Sequence, residues 1–334
     1  MHMFAAFYFV IILTIEKEWN ISYDQLIRLW SLGALLIGLG AIPFGWLSDR
    51  WSRSGTMTIM FIGMGLASIL CGLSTSISFL FISLSLLGLF CSIYHPVGIP
   101  WVIHSANKQG RALGINGIFG GVGIGSGAFV AGTLTELLNW QLAFILPGFI
   151  SIIIGFILIY FIFINKISYK NIFINNIEQD HSRNEMILIS LIMLISMFAL
   201  GLTFHNTQTA LPKVFEIRID NINSIQIGLM IGIIYFISGA TTFVGGLLAD
   251  RFNLKTIYLI GIFLQFPCYL GIAYVSGYSL VVLCILAAVF NASILPTENL
   301  LLSKFTPQKY HGVVYGIKFI LAFGSGPILS LIHI

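Results

Sequence analysis

The chain has 334 residues, 57% of them apolar and only 8% charged, with a formal net charge of +4 and a mean hydropathy of +0.97. A water-soluble domain carries roughly 25% charged residues, so this chain cannot clothe a soluble surface, and its few dispersed positive charges offer no face to a nucleic acid. Its apolar runs are continuous rather than alternating, as from Leu142 to Ile164, which excludes a closed barrel and requires membrane-spanning helices.

A helix needs about 20 apolar residues to cross the hydrocarbon core. By that ruler the sequence predicts eleven spans, near 2–15, 27–47, 56–74, 79–103, 112–133, 142–164, 186–210, 224–248, 256–275, 279–302 and 312–334. The first is short, but no basic residue precedes it and Glu16-Lys17-Glu18 follows it. It therefore reads as a span, not as a secretory signal with a small-residue cleavage site. Cys71, Cys91, Cys268 and Cys284 all fall inside apolar runs without metal-type spacing, so they read as small buried hydrophobes, with no metal and no cofactor implied.

The short segment after span two, Gly45-Trp46-Leu47-Ser48-Asp49-Arg50, returns after span eight as Gly246-Leu247-Leu248-Ala249-Asp250-Arg251, a shift of 201 positions. Both copies read G-x-L-x-D-R and run on to a basic residue, Arg53 in one and Lys255 in the other. A repeat of this period implies two bundles built alike. The polar stretch 165–185 is the natural linker between a first bundle, 1–164, and a second, 186–334. Applying the same shift to span six predicts a twelfth span near 343–365, beyond Ile334, so the second bundle is expected to be incomplete, with eleven of twelve helices present. Eleven basic residues fall on one set of loops (Arg50, Arg53, Lys108, Arg111, Lys166, Lys170, Arg183, Arg251, Lys255, Lys304 and Lys309) and only Lys17, Arg28, Lys213 and Arg218 on the other. The positive-inside rule makes the first set cytoplasmic and starts the chain on that side of the cell membrane.

The paired G-x-L-x-D-R loop and the six-plus-six layout around a cytoplasmic linker resemble the major facilitator superfamily over the whole chain. Within it, Tyr94-His95-Pro96 of span four is similar to the fosmidomycin-resistance-like branch of exporters. The resemblance implies an all-helical fold of two pseudo-symmetric six-helix bundles. It also implies alternating access around a midplane cavity lined by spans one, four, seven and ten, in a monomer that carries a small solute, most simply with protons. It further implies that Asp49 faces the start of span eleven near His311 and Gly312, and that Asp250 faces the start of span five near Gly110 and Arg111. Gly45, Asp49, Arg50, Arg53, Gly246, Asp250, Arg251 and Lys255 would then form a gate. The chain departs from the family pattern in three places. Ser52 and Asn253 stand where the loop usually has glycine, the basic pair is thinned to Arg53-Ser54 and Leu254-Lys255, and Gly123-Ile124-Gly125-Ser126-Gly127 lacks the Gly-Pro pair of drug antiporters.

Span five is rich in glycine, and Gly117, Gly121 and Gly125 recur every four residues along one face. That stripe suits close helix packing against span eight. A phosphate-cradling loop would need a preceding strand. Polar residues inside the membrane are costly and so are site candidates. Glu298 and Lys318 sit roughly 9 Å inside their spans at 1.5 Å per residue, at one level, and an ion pair there would hold a proton, an anionic group, or only the structure. Pseudo-symmetry sets Gly98 opposite Glu298 and Asn116 opposite Lys318, so charge is concentrated in the second half. His95, His205, Asn206, Gln208, Asn291 and Asn299 are further candidates for binding solute or protons, while Gln265 in span nine has no place in this scheme. The reading is a secondary transporter of a small organic solute, with drug efflux as the alternative. A membrane sensor with a transporter-like shell is the rival of another class. An enzyme is not expected, because His95, His205 and Glu298 fall on three helices at different depths.

Overall fold

The structure, a computed structural model, describes residues 1–168, 183–221 and 224–332, and a few side chains within those ranges lie outside the described set. Among the described residues it is all helix: α1 (His2–Trp19), α2 (Tyr23–Leu29), α3 (Ser31–Leu39), α4 (Ala41–Arg50), α5 (Arg53–Gly72), α6 (Ile77–Cys91), α7 (Ile99–Ser105), α8 (Gln109–Leu137), α9 (Trp140–Phe163), α10 (Arg183–Arg218), α11 (Ser224–Ala249), α12 (Leu254–Tyr274), α13 (Tyr278–Lys304) and α14 (His311–Ile332). Eight segments among the described residues are long and apolar enough to cross a membrane.

Two predicted spans are interrupted. Span two becomes α2, α3 and α4, with breaks at Trp30 and Gly40. Pro43, in the first turn of α4, has no N–H for the Leu39 carbonyl, which weakens the ladder where the helix bends. Span four becomes α6 and α7 joined by a π-helical turn, Tyr94–Gly98. Pro96 cannot donate to the Ser92 carbonyl, and a widened turn accommodates the missing bond.

The helices form two compact units. The first holds Met1–Trp101, Ser126–Glu185 and Thr306–Ile334, and the second holds Val102–Gly125 and Met186–Phe305. Each unit thus draws most of its residues from one side of the 165–185 stretch and one segment from the other.

In the first unit the core gathers Phe7, Tyr8, Ile11 and Ile12 of α1 against Trp140 and Phe144 of α9. The Tyr8 hydroxyl is satisfied by donating to the Leu26 carbonyl at 2.6 Å. Hydrophobicity alone cannot pair helices in lipid, so small residues and hydroxyls do it. Gly65 and Gly72 of α5 meet Gly148 and the Gln141–Ile145 turn of α9. Across the same seam Ser68 donates to the Phe144 carbonyl, and Ser151 to the Phe61 carbonyl, each at 2.7 Å. Gly33 of α3 and Gly88 of α6 cross so closely that a Cβ on Gly88 would collide with the Gly33 backbone.

The second unit repeats the device. Gly245 of α11 rests on the Ser293 backbone of α13, and Gly261 of α12 on the Ile294 side chain. Arg218, at the end of α10, donates to the Ile272 and Ala273 carbonyls at 2.8 and 2.9 Å and so caps α12. The remaining faces are greasy and bare: Phe149, Ile153 and Phe156 of α9 and Leu259, Phe263 and Phe266 of α12 are exposed, Phe263 by 75%. In water such faces would aggregate, whereas acyl chains suit them.

Replacing Gly88 with Val forces α3 and α6 apart. Overpacking of this kind costs about 1–3 kcal/mol, so the Gly88→Val protein in detergent should melt several degrees lower than the parent. An unchanged midpoint would show that the crossing carries no such constraint.

Candidate functional site

The two copies of the repeated loop end in the same contact. In the first unit Asp49, at the end of α4, accepts from the Gly312 N–H at 2.8 Å and the Val313 N–H at 3.3 Å through one carboxylate oxygen. In the second unit Asp250 accepts from the Gly110 N–H at 2.7 Å and the Arg111 N–H at 2.8 Å, one bond to each oxygen. Each carboxylate therefore satisfies bare donors in the first turn of a helix, α14 or α8, at the positive end of its dipole. Glycine makes the approach possible. Gly45 lies against the Gly312 backbone, Gly246 against that of Gly110, and any Cβ at these positions would overlap main-chain atoms.

The two contacts differ in their surroundings. Asp49 is buried, and Arg53, four residues on and also buried, sits 3.6 Å from its second oxygen. Asp250 is exposed, as are Arg251 and Lys255. The residue four on from Asp250 is Leu254, and Lys255 falls one position later on another helix face. Arg50 is exposed and lies over the Trp46 ring at 4.6 Å, holding its charge at the helix end. Ser52 and Asn253, which replace the glycines of the related pattern, are N-caps. The Ser52 hydroxyl accepts from the Gly55 N–H at 3.0 Å, and the Asn253 side chain from the Thr256 N–H at 3.2 Å. A cap of this kind is worth about 1 kcal/mol, so the loops exchange backbone freedom for a fixed start to α5 and α12.

The glycine stripe of α8 faces α11. Gly114 lies on the Phe243 backbone, Gly117 touches the Thr242 side chain, and Gly121 faces Gly239, while the surroundings of Gly125 lie outside the described residues. Asn116, on the same helix, is half-buried.

Several of the polar candidates are gathered within one unit or the other. In the first, the π-helical turn carries His95, whose ring stacks on Phe319 of α14 with centroids 4.0 Å apart. His2 of α1 stands edge-on to His95 at 5.2 Å and to Tyr94 at 5.8 Å. Lys318 is buried, its ammonium 5.4 Å from the Phe319 ring. His2 belongs to this group although the sequence offered no signal for it beyond its residue type.

In the second unit Glu298 is buried on α13 directly after Pro296 and Thr297. The Tyr258 hydroxyl shares a 2.7 Å hydrogen bond with Ser196 of α10. Asn299 is half-buried. Asn291 is buried and donates to the Gln265 side-chain oxygen at 3.2 Å, which gives Gln265 a place in the structure. Asn291 also lines a cleft with Thr207, Tyr235 and Tyr269. His205, Asn206 and Gln208 lie on α10, but their side chains are outside the described residues. Among the described residues, no cluster of His, Cys, Asp and Glu is arranged to hold a metal ion.

The buried contact should be the costlier one to weaken. Asp49→Asn keeps one oxygen for α14 but removes the charge beside buried Arg53, at a cost of about 2–3 kcal/mol. Asp250→Asn, in water, should cost below about 1 kcal/mol. Thermal melting of the two variants in one detergent reads the difference, and equal shifts would contradict it.

A family model described as Major Facilitator Superfamily matches residues 1–331. The chain is 29% identical over 147 residues to the riboflavin transporter RibZ of Clostridioides difficile, a match covering 42% of this chain and 32% of that one. It thus spans about a third of that relative's length. It is 26% identical over 293 residues to a multi-drug resistance efflux pump PmrA homolog of Lactococcus lactis, covering 84% of this chain and 70% of that protein. Its fold resembles the crystal structure of the transporter FucP in the outward conformation, with a TM-score of 0.71 at 12% identity over 99% of this chain and 91% of the other. With the family model matched almost end to end and the fold alike over nearly the full length, this multi-pass, all-helical membrane protein belongs to the major facilitator superfamily, a family of transporters and not of enzymes.

Proposed function

We propose that the chain moves a small organic solute across the cell membrane by alternating access, coupled most simply to protons. The observation that carries this reading is the pair of carboxylate contacts. Each joins a loop from one side of the 165–185 stretch to the start of a helix from the other, Asp49 to α14 and Asp250 to α8. Two like contacts, each a few hydrogen bonds over a glycine crossing, can be made and broken at low cost, as a gate must be. The excess of Lys and Arg on the loops that carry them puts this gate on the cytoplasmic side, with the amino terminus.

Glu298 and Lys318 are the buried charges of α13 and α14, and ionisable residues inside a membrane are site candidates by default. In this reading Glu298 takes and releases the coupling proton, and Lys318, with His95, meets an anionic part of the solute. His205, Asn206, Gln208, Asn116 and Asn299 are further candidates for contact with solute or protons. Drug efflux is the second reading, favoured by the match to a multidrug efflux pump over most of the chain and by Tyr94-His95-Pro96.

Purified protein in sealed vesicles tests both. A pH gradient should accelerate movement of at least one solute in a labelled panel of riboflavin, organic anions and cationic drugs. Glu298→Gln should abolish that acceleration while leaving solute exchange without a gradient, and Asp49→Asn should slow both. If no solute responds to the gradient, or the Glu298→Gln protein responds as the parent does, proton coupling through this carboxyl is wrong.

A further inference from the structure

One rim of the first unit carries two cations that no carboxylate of the chain answers. The Arg50 guanidinium lies over the Trp46 ring at 4.6 Å, and the Lys309 ammonium over the Tyr310 ring at 4.9 Å. Among the described residues neither forms a salt bridge, and the partner of Asp49 is Arg53. All four side chains are exposed, Trp46 by 48% and Tyr310 by 50%, as is Trp51, next to Arg50, by 43%. Tryptophan and tyrosine left open in a membrane protein belong at the level of the lipid headgroups.

The two pairs share one place in the unit. The turn Gln308–Tyr310 packs against α4. Asp49, one residue before Arg50, accepts from the N–H of Gly312, three residues after Lys309. The α3–α4 segment shows two faces here. Gly38, Ala41 and Gly45 lie against Ile320, Gly316 and Gly312 of α14, and Asp49 continues that line. One residue further round, Leu35, Leu39, Ile42 and Trp46 are exposed and lead along a single stripe to Arg50. An acyl chain can lie along this stripe and bring its headgroup to Arg50, one turn or about 6 Å beyond Trp46.

The chemistry selects the headgroup. A guanidinium laid flat on a ring keeps its N–H fork at its edges, where it matches two oxygens of a phosphate. A zwitterionic headgroup brings a cation of its own to two cations already present, whereas an anionic one brings the missing counter-charge. The second unit offers a contrast. At a shift of 201 positions Trp46 and Arg50 become Leu247 and Arg251, and counted back from the helix start at Gly110, Lys309-Tyr310 becomes Asn107-Lys108. Charge persists there, but the ring in the Trp46 place and the lysine–tyrosine pair do not.

We propose that Arg50 and Lys309, each seated on its ring, hold the headgroup of an anionic phospholipid whose acyl chain runs along the exposed α3–α4 stripe. The inference goes beyond the transporter reading and takes from it only the cytoplasmic side of this rim, where anionic lipid attracts basic residues.

Phosphatidylglycerol is the probe. The full-length protein is placed in phosphatidylcholine vesicles with a minor share of brominated phosphatidylglycerol, or the same share of brominated phosphatidylcholine, in both leaflets. Bromine quenches tryptophan on contact, and comparison with Trp46→Phe isolates the signal from this rim. Brominated phosphatidylglycerol should quench that signal more strongly, giving it the larger association constant. Arg50→Gln and Lys309→Gln should each lower the constant about fivefold, the effect of one basic residue near a charged surface. Lys108→Gln, which removes an exposed cation from the second unit, should leave it unchanged, and inorganic phosphate should not displace the lipid. Equal quenching by the two lipids, as large a loss in Lys108→Gln as in Lys309→Gln, or displacement by phosphate would overturn the proposal. The comparison of lipids uses the unaltered protein, so it stands even where a variant fails to fold. Solute movement in vesicles of phosphatidylcholine alone bears on the transporter reading and not on this one, so either can fail by itself.

Discussion

A carboxylate set against the open N–H groups of a helix start is the interaction on which both units depend. Four donors at every helix N-terminus have no partner in the helix itself, and at a membrane surface water serves them only in part. Asp49 and Asp250 meet that need from another helix, and in doing so they tie α4 to α14 and the end of α11 to α8. The bonds are strong enough to set the positions of the helix ends and few enough to be given up together. Glycine at Gly45, Gly246, Gly110 and Gly312 is the condition for them, since a single methyl group would hold the backbones too far apart for the carboxylate to reach.

The same logic runs through the interior. Lipid is as apolar as leucine, so helices in this chain are joined where side chains are absent or carry a hydroxyl. Gly65, Gly148, Ser68 and Ser151 between α5 and α9, and Gly33 and Gly88 between α3 and α6, bring main chains together and let hydroxyls reach carbonyls across the seam. Large apolar side chains fill the core of each unit, as Trp140 and Phe215 do, and also cover the outside, as Phe156 and Phe263 do, where the bilayer accepts them. Apolar surface on both sides explains why mean hydropathy is so high.

The two units are alike in design and unlike in chemistry. Asp49 is buried beside Arg53, whereas Asp250 is open to solvent with Leu254 in the corresponding place. The first unit sets His2 edge-on to His95, with His95 and Lys318 against Phe319, and the second holds buried Glu298 and a neutral amide pair. The frames of the two units are alike in these contacts, and the polar groups they carry differ.

Much of this is visible in the sequence because it follows from composition and period. Continuous apolar runs dictate spanning helices, and a motif shifted by 201 positions dictates two related loops. Even the unequal surroundings of the two aspartates are written there, since Arg53 is four residues from Asp49 and Lys255 five from Asp250. What only the tertiary structure decided is which residues meet across helices. No spacing in the chain says that His2 lies beside His95, or that Ser196 reaches Tyr258. Nor does it say that Gln265, an isolated polar residue in an apolar run, turns its oxygen to Asn291 twenty-six positions away. Periodicity fixes the face a residue occupies on its own helix, but the rotation and depth of one helix against the next come from how small residues fit at their crossing, and that fit exists only when both helices are in place.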